Sequence, residues 1–440
     1  MQHWRKLLMS FQFSQDQLDA VNGICNQLLD PNIKSHVLTV LTGSAGTGKT
    51  TVVGEIINQI AQQSPMTNIA LCATTHRAAT VLQEIVHGSI VITGYALFKL
   101  RPTINKFGKE TIANAGICDI PYESVVIIAE ASMIGNKFLK SIVDIVTSRS
   151  LKLVFVGDPF QLPPPADLCT IFDGSLSTFT LTQVHRQLGG NPVLEKANEF
   201  REYIEGIRDS EPVLETNINS KGEGIHVLPH SEFITKFVQK YMNYSTGAEV
   251  DIPLCTFTNE SAINYNSMVR KAAYFLEDTI EPFYKGERLI ANSVVMQGDK
   301  TILANNEVIH VTSYVEAEYQ DIPGYQVTVQ GDWNKYTKSN TKKVFSPKTK
   351  AAADKVLKEW KAEAILNKSK KGWQDYYKIK SSLADLRPPF AGTTHKAQGG
   401  TFPAVFIDKI NINKCRDKFT RARLFYVALT RASKNAYINS

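Results

Sequence analysis

The stretch Gly43-Ser44-Ala45-Gly46-Thr47-Gly48-Lys49-Thr50 constrains the fold more than any other part of the chain. It follows HVLTVLTG, a short β-branched run that stops at glycine as a buried strand does. It precedes TTVVGEIINQIAQQ, whose apolar residues recur at helical spacing. Between a strand and a helix, the pattern Gly-x-x-x-x-Gly-Lys-Thr reads as a phosphate cradle. The reasons are steric and electrostatic. Gly43, Gly46 and Gly48 let backbone N–H groups curl around phosphate oxygens with no Cβ in the way, and the following helix adds its positive end. Lys49 is spaced to reach the β- and γ-phosphates and the Thr50 hydroxyl to ligate Mg²⁺, with Ser44, Ala45, Thr47 and Thr51 completing the loop. The implied ligand is a nucleoside triphosphate.

The surrounding pattern is that of an α/β protein. FSQDQLDAVNGICNQLL sets Leu18, Val21, Ile24 and Leu28 at helical spacing behind Ser14 as N-cap. NIALCAT (68–74), SVVIIAEAS (124–132) and LKLVFVGD (151–158) read as buried parallel strands alternating with helices. The polar segment 99–118 reads as a small β insertion with its tip at NKFGKE. From residue 181 the pattern restarts, with a helix near 193–207 and strands near 225–228 and 252–257. Residues 280–330 alternate as an all-β unit does, 350–380 read as a lysine-rich helix or helix pair, and α/β patterning returns after Pro388-Pro389. The expected layout is a first domain over 1–180 with an insertion at 93–120, a second over 181–270 and 388–440, and an inserted subdomain over 271–387.

Composition excludes several classes. No run of 18 apolar residues exists, and the N-terminus lacks a secretory h-region, so neither a membrane span nor export is expected. The six cysteines are scattered singly, which points to buried thiols in a reducing cytosol rather than zinc or redox pairs. The net charge of +7 is uneven: residues 331–380 hold 14 lysines against 5 acids, a balance that fits a polyanion partner or a solvated face.

The partner of a phosphate loop should be an apolar strand ending in acids. VVIIAEASM (125–133) is that strand, but only Glu130 is acidic. Ala129 stands where an aspartate would hold Mg²⁺, and an alanine coordinates no cation. Either the chain was altered to stop hydrolysis or it is naturally impaired. The intactness of the other motifs favours alteration.

Further motifs occur in one order: FQFSQDQ (11–17), CATTHRAA (72–79), VFVGDPFQLPPP (154–165), LTQVHRQ (181–187), AGTTHKAQGGTF (391–402) and FYVALTRAS (425–433). This set resembles superfamily 1 helicases of the Dda/RecD type. The resemblance implies an α/β fold of two RecA-like P-loop domains, with a β-hairpin insertion, an SH3-like/tower insertion, and ATP with Mg²⁺ between the domains. It gives Gln17 the adenine and assigns Gln398 and Gly399 to the nucleotide. Glu130 would polarise the attacking water, Gln161 would sense the γ-phosphate, and Arg186 and Arg431 would be arginine fingers. Thr75, His76, Tyr95, Phe98, Phe107, Thr256, Asn259, Thr394, His395 and Lys396 would face single-stranded DNA. Tyr95 replaces a usual histidine and is equally readable as core. Phe107 is placed as a wedge at fork or partial-duplex DNA. Asn305-Asn306-Glu307 replaces Asn-Gly-Glu, and asparagine tolerates the left-handed turn. Trp333, Tyr336, Trp360, Trp373, Tyr376 and Tyr377 among the lysines suit base stacking or packing.

The expected activity is 5′→3′ translocation and unwinding in replication, recombination or repair. The expected setting is a monomer in bacterial or phage-infected cytoplasm, with a single-stranded-DNA-binding protein or replisome component as protein partner. A nucleotide-switched DNA clamp, an RNA helicase and a nuclease-helicase subunit are the competing readings.

Overall fold

The computed structural model describes residues 12–33, 35–85, 91–104, 110–164, 167–184, 190–241, 253–274, 281–298, 300–331, 341–367 and 370–440. They form two compact units, one within 1–101, 112–228 and 394–440, the other within 102–111 and 229–393.

The first unit opens with α1 (Gln15–Leu29), β1 (Val37–Gly43), α2 (Lys49–Gln63), β2 (Ile69–Ala73), α3 (His76–Ile85) and β3 (Val91–Thr93). A short α4 (Gly94–Leu97) leads to the strands β4 (Leu100–Ile104) and β5 (Glu110–Asn114), which pair as a two-stranded sheet where the β insertion is expected. Then come β6 (Val125–Ala129), α5 (Asn136–Ser148), β7 (Lys152–Gly157) and β8 (Ser177–Leu181). Six strands form one parallel sheet in the order β3-β2-β6-β7-β1-β8.

Both faces of that sheet are covered, which is why its strands read as unbroken apolar runs. Val125 and Ile127 point to a core shared with Val21, Ile24 and Leu28 of α1 and Val52, Val53, Ile56 and Ile60 of α2. Val126 and Ile128 point the other way, onto Phe138, Ile142 and Val146 of α5. Leu18 differs from its expected role in α1: it is exposed.

The same unit holds a second α/β layer. It comprises α6 (Pro192–Glu205), β9 (Asn217–Ile218) and β10 (Gly224–Leu228). Asn191 caps α6 by accepting from the Val193 amide, and proline at the first helical position suits that cap.

The second unit continues with α7 (His230–Tyr241), β11 (Leu254–Thr256) and α8 (Asn259–Ala273). Strands β12 (Arg288–Ala291), β15 (Val308–Tyr319), β16 (Ile322–Gly331), β17 (Thr341–Pro347) and β18 (Leu386–Arg387) make a five-stranded sheet, with β13 (Val295–Gln297) and β14 (Lys300–Leu303) paired beside it. The β15–β16 turn puts Gln320 and Asp321 at φ 51° and 61°, the left-handed pair a tight hairpin needs. Asn306 adopts φ 63°, as its place in the turn requires. The lysine-rich segment is a helix pair, α9 (Lys350–Leu366) and α10 (Lys370–Ser382). Trp373 and Tyr376 are buried with Leu357, Ile379, Phe345 and Ile322, so these two aromatics are core rather than stacking platforms. Trp333 and Tyr336 lie outside the described residues. Strand β19 (Ala391–Thr393) pairs parallel with β11 and ends this unit.

The chain then returns to the first unit with α11 (Thr394–Ala397), β20 (Phe402–Ile407), α12 (Lys409–Ile412), α13 (Lys418–Arg431) and β21 (Ala432–Asn439). Strand β21 lies parallel between β20 and β10. Phe200 of α6 packs on Phe425 of α13 at 5.3 Å between ring centroids. This packing ties residues 190–228 to 394–440, and both group in one unit with the phosphate-loop domain, whereas 229–270 group with the inserted subdomain. Among the described residues no helix is long and apolar enough to cross a membrane.

Candidate active site

In parallel α/β sheets the strand carboxyl ends collect the chemistry, because loops and helix N-termini meet there. Thr42 of β1 pairs with Gly157 of β7, and Ala129 of β6 pairs with Val156 of β7 and Ala73 of β2. The register therefore sets Glu130 and Thr74 level with Gly157 and Thr42, with Gly43 and Asp158 one residue further on.

The loop from Gly43 has the geometry of an anion cradle. Gly46 and Gly48 take φ 87° and 80°, where a side chain is strained. A Cβ on Gly43 would stand 2.6 Å from Thr47 Oγ1 and 2.9 Å from the Leu181 carbonyl oxygen. Ser44 is buried, and among the described residues its hydroxyl has no hydrogen-bond partner. Thr47 Oγ1 donates to the Ser44 carbonyl at 3.0 Å. Lys49 Nζ donates to the Gly43 and Ser44 carbonyls at 2.7 and 2.9 Å, so its charge is held at the mouth of the loop. Thr50 and Thr51 open α2, half-buried. These residues fit a nucleotide phosphate chain with its metal ion: Thr50 offers a hydroxyl, and Ala129 offers no ligand.

Gln17 is fully buried, and both ends of its amide are engaged. Nε2 donates to the Thr47 carbonyl at 3.0 Å and Oε1 accepts from the Ser14 amide at 3.1 Å. Asp16 beside it accepts from the Thr182 and Gln183 amides at 2.7 and 3.1 Å. Burial alone would raise its carboxyl, but hydrogen bonds from Ser14, Gln183 and Thr182 outweigh that and hold the pKa at about 2.

Glu130 has φ 55° and ψ 44°, the left-handed region that a non-glycine residue rarely enters. Thr74 fastens it, donating from Oγ1 to the Glu130 carbonyl at 3.1 Å and from its amide to the Ala129 carbonyl at 3.3 Å. Such strain concentrates at functional positions.

Helix α13 meets this face. Tyr426 Oη lies 2.6 Å from Asp158 Oδ2 and 3.1 Å from the Ala45 amide nitrogen. Arg423, one turn earlier, donates to the Pro159 and Gln161 carbonyls at 2.6 and 2.9 Å. Burial draws its guanidinium below the usual arginine range, with Asp158 opposing. Gln398 Nε2 donates to Gln161 Oε1 at 3.3 Å and to the Leu162 carbonyl at 3.2 Å. Gly399 turns at φ 80°. Arg431 is buried, its nitrogens donating to the Val427 and Gly400 carbonyls and to Thr430 Oγ1 at 3.1–3.2 Å.

The residues expected at DNA divide. Thr75 caps α3, accepting from the Ala78 amide at 3.2 Å. Thr394 and Thr256 are fully buried, and Thr256 Oγ1 donates to the Thr258 and Gly392 carbonyls. Asn259 Oδ1 accepts from Arg387. His395 is half-buried, and burial lowers its pKa. Lys396 is half-buried. One expectation is corrected. Phe98 is 1% exposed inside the core over α5, so its ring has no face for a base. Tyr95 stacks on Phe138 at 4.0 Å and 16°, which gives one ring face to the core. Arg186, Phe107 and the side chain of His76 lie outside the described residues.

The motif reading passed over Asp158, Arg423 and Tyr426. The signal lies in RLFYVALTR (423–431), where Arg423 and Tyr426 sit three apart on one helix face, but an aromatic in an apolar run reads as core.

A family model for an AAA domain matches residues 12–223, and one for a UvrD-like helicase C-terminal domain matches residues 389–438. The chain is 24% identical over 444 residues to the ATP-dependent DNA helicase dda of Enterobacteria phage T4, covering 92% of this chain and 94% of that protein. It is 22% identical over 497 residues to an uncharacterized protein of Acanthamoeba polyphaga mimivirus, covering 93% and 97%. It is 31% identical over 168 residues to the ATP-dependent RecD2 DNA helicase of Deinococcus radiodurans, covering 38% and 22%. Both family models fall on residues that the fold gathers around the phosphate loop, and together with these relatives they support the resemblance to superfamily 1 helicases of the Dda/RecD type.

Proposed function

We propose that this chain is an ATP-dependent DNA helicase that moves 5′→3′ on single-stranded DNA and opens fork or partial duplex, with hydrolysis slowed by alanine at position 129. The observation that carries the reading is the meeting of the phosphate loop, Glu130, Asp158 to Gln161 and α13 on one strand-end face. The loop amides and Lys49 hold a phosphate chain. Glu130 orients a water for attack, and Gln161 registers the terminal phosphate. Arg431, and Arg186 by analogy, offset the charge that develops on the transferred group. Mg²⁺, when bound, neutralises phosphate charge; Thr50 would ligate it, and the missing carboxylate at 129 is what slows turnover. By analogy Thr75, His76, His395 and Lys396 contact backbone phosphates, whereas Thr394 and Thr256 are buried and the Thr256 hydroxyl is spent inside the protein. The five-stranded sheet and the α9–α10 pair form the SH3-like and tower insertion. The protein works as a cytoplasmic monomer beside a single-stranded-DNA-binding protein or replisome component, in replication, recombination or repair.

Ala129 also supports a second reading, a nucleotide-switched DNA-binding protein that does not unwind. Multiple-turnover unwinding of a forked duplex by this chain and by Ala129→Asp separates the two. The aspartate form should hydrolyse ATP and unwind faster by on the order of 10². Equal ATPase rates would sink the slowed-enzyme reading, and a hydrolysing aspartate form that leaves the fork closed would favour the switch. Competition between DNA and RNA oligonucleotides of one sequence tests the substrate.

A further inference from the structure

The hydroxyl of Tyr426 joins two partners of different kinds. Ala45 has only its N–H to offer, so the phenol oxygen accepts there, at 3.1 Å. The single phenol proton then points to Asp158 Oδ2 at 2.6 Å. Burial, and next the Asp158 charge, push the phenol well above its ordinary range, so the proton stays on oxygen at neutral pH. The order of donors is therefore fixed: amide to phenol, phenol to carboxylate. Asp158 is fully buried, and its other oxygen accepts from the Phe160 amide at 3.0 Å.

Ala45 is the third residue of the phosphate loop, and loop amides are the groups that grip phosphate oxygens. One of these donors is given to a side-chain oxygen from α13, the helix that carries Arg431. The phenol oxygen thus does for this amide what a phosphate oxygen does. We propose that Tyr426 is a positioning residue of the nucleotide site, whose hydroxyl and a terminal phosphate oxygen compete for the Ala45 N–H, so that triphosphate binding breaks this one hydrogen bond between α13 and the loop. This rests on the ATP-binding reading above. When the amide passes to phosphate, the phenol keeps Asp158 as acceptor, so the exchange leaves no buried hydroxyl unpaired. The carboxylate behind the tyrosine is what makes the exchange reversible.

The test is a fluorescence titration of the chain with a labelled non-hydrolysable ATP analogue and with labelled ADP, with and without an oligo-dT strand. Tyr426→Phe keeps the ring and removes only the hydroxyl. It should tighten the triphosphate analogue roughly fivefold, the size of one net hydrogen bond, and change ADP less. The factor by which oligo-dT alters analogue affinity should fall towards one, because α13 no longer reports the loop's state. A tyrosine with a merely structural role predicts weaker binding of both nucleotides. Should Tyr426→Phe unfold, Asp158→Asn keeps the side-chain shape and an acceptor but weakens the hold on the phenol, and it should tighten the analogue in the same direction by less. Unchanged or weaker analogue binding in the folded variants overturns the proposal. Failure of the parent chain to bind the analogue overturns instead the nucleotide reading beneath it.

Discussion

The strand-end face of the first unit and the β-and-helix insertion of the second obey local rules to different degrees. In the insertion, Gln320-Asp321 and Asn306 supply the turns their backbone needs, and Trp373, Tyr376 and Phe345 fill a core. At the strand ends, Glu130 is held left-handed, the buried hydroxyls of Thr42, Ser44 and Ser132 find no partner among the described residues, and a buried carboxylate leans on a phenol. Local consistency marks scaffold, and its violation marks the place where a ligand completes the bonding.

The comparison can be broken by substitution. The largest effect expected is on turnover. Arg431→Ala in an Ala129→Asp background should bind ATP and lose about 10³–10⁵ in DNA-stimulated hydrolysis. Steady-state rates beside a nucleotide titration decide it, and retained turnover refutes the finger assignment. Next, Trp373→Ala should destabilise by about 3–5 kcal/mol through the cavity it leaves. Gly43→Ala should do the reverse, abolishing nucleotide binding with a smaller loss of stability, because its new Cβ meets Thr47 Oγ1 and the Leu181 carbonyl. Thermal melts paired with nucleotide titrations check both, and equal effects on the two readouts would erase the distinction drawn above.

The smallest effect is a pH dependence. Asp16 titrates at about 2 against an ordinary 3.8. A depressed carboxyl contributes its stability above the unfolded value and loses it as pH falls through the folded one. The advantage of the parent over Asp16→Asn should be level from neutrality down to about pH 4 and vanish towards pH 2. Its size should be about 1 kcal/mol after allowing for solvent screening. Urea unfolding at stepped pH measures it, and an advantage that grows on acidification would reverse the sign assigned here.

Much of this organisation is legible in the chain. Strand–glycine–helix punctuation locates the phosphate loop, and the unbroken runs at 125–129 and 152–157 announce strands covered on both faces. What sequence conceals is which way a side chain faces once the backbone is in place. Phe98 follows a motif position that suggests bases, yet packing over the helix at 136–148 draws its ring inward. Tyr426 fails in the opposite direction, since its apolar neighbours hide a hydroxyl that matters. The packing of 190–228 with 394–440 rests on Phe200 against Phe425, 225 positions apart, and no local pattern encodes such a pair.

A parallel sheet gripped by one apolar layer above and another below behaves as a stiff plank. Bending it would pull side chains out of one layer while crowding the other, so its strands make a poor spring. Whatever recoil follows phosphate release must be taken up by the connectors at its carboxyl rim, and the plank serves as the fixed bench against which they push.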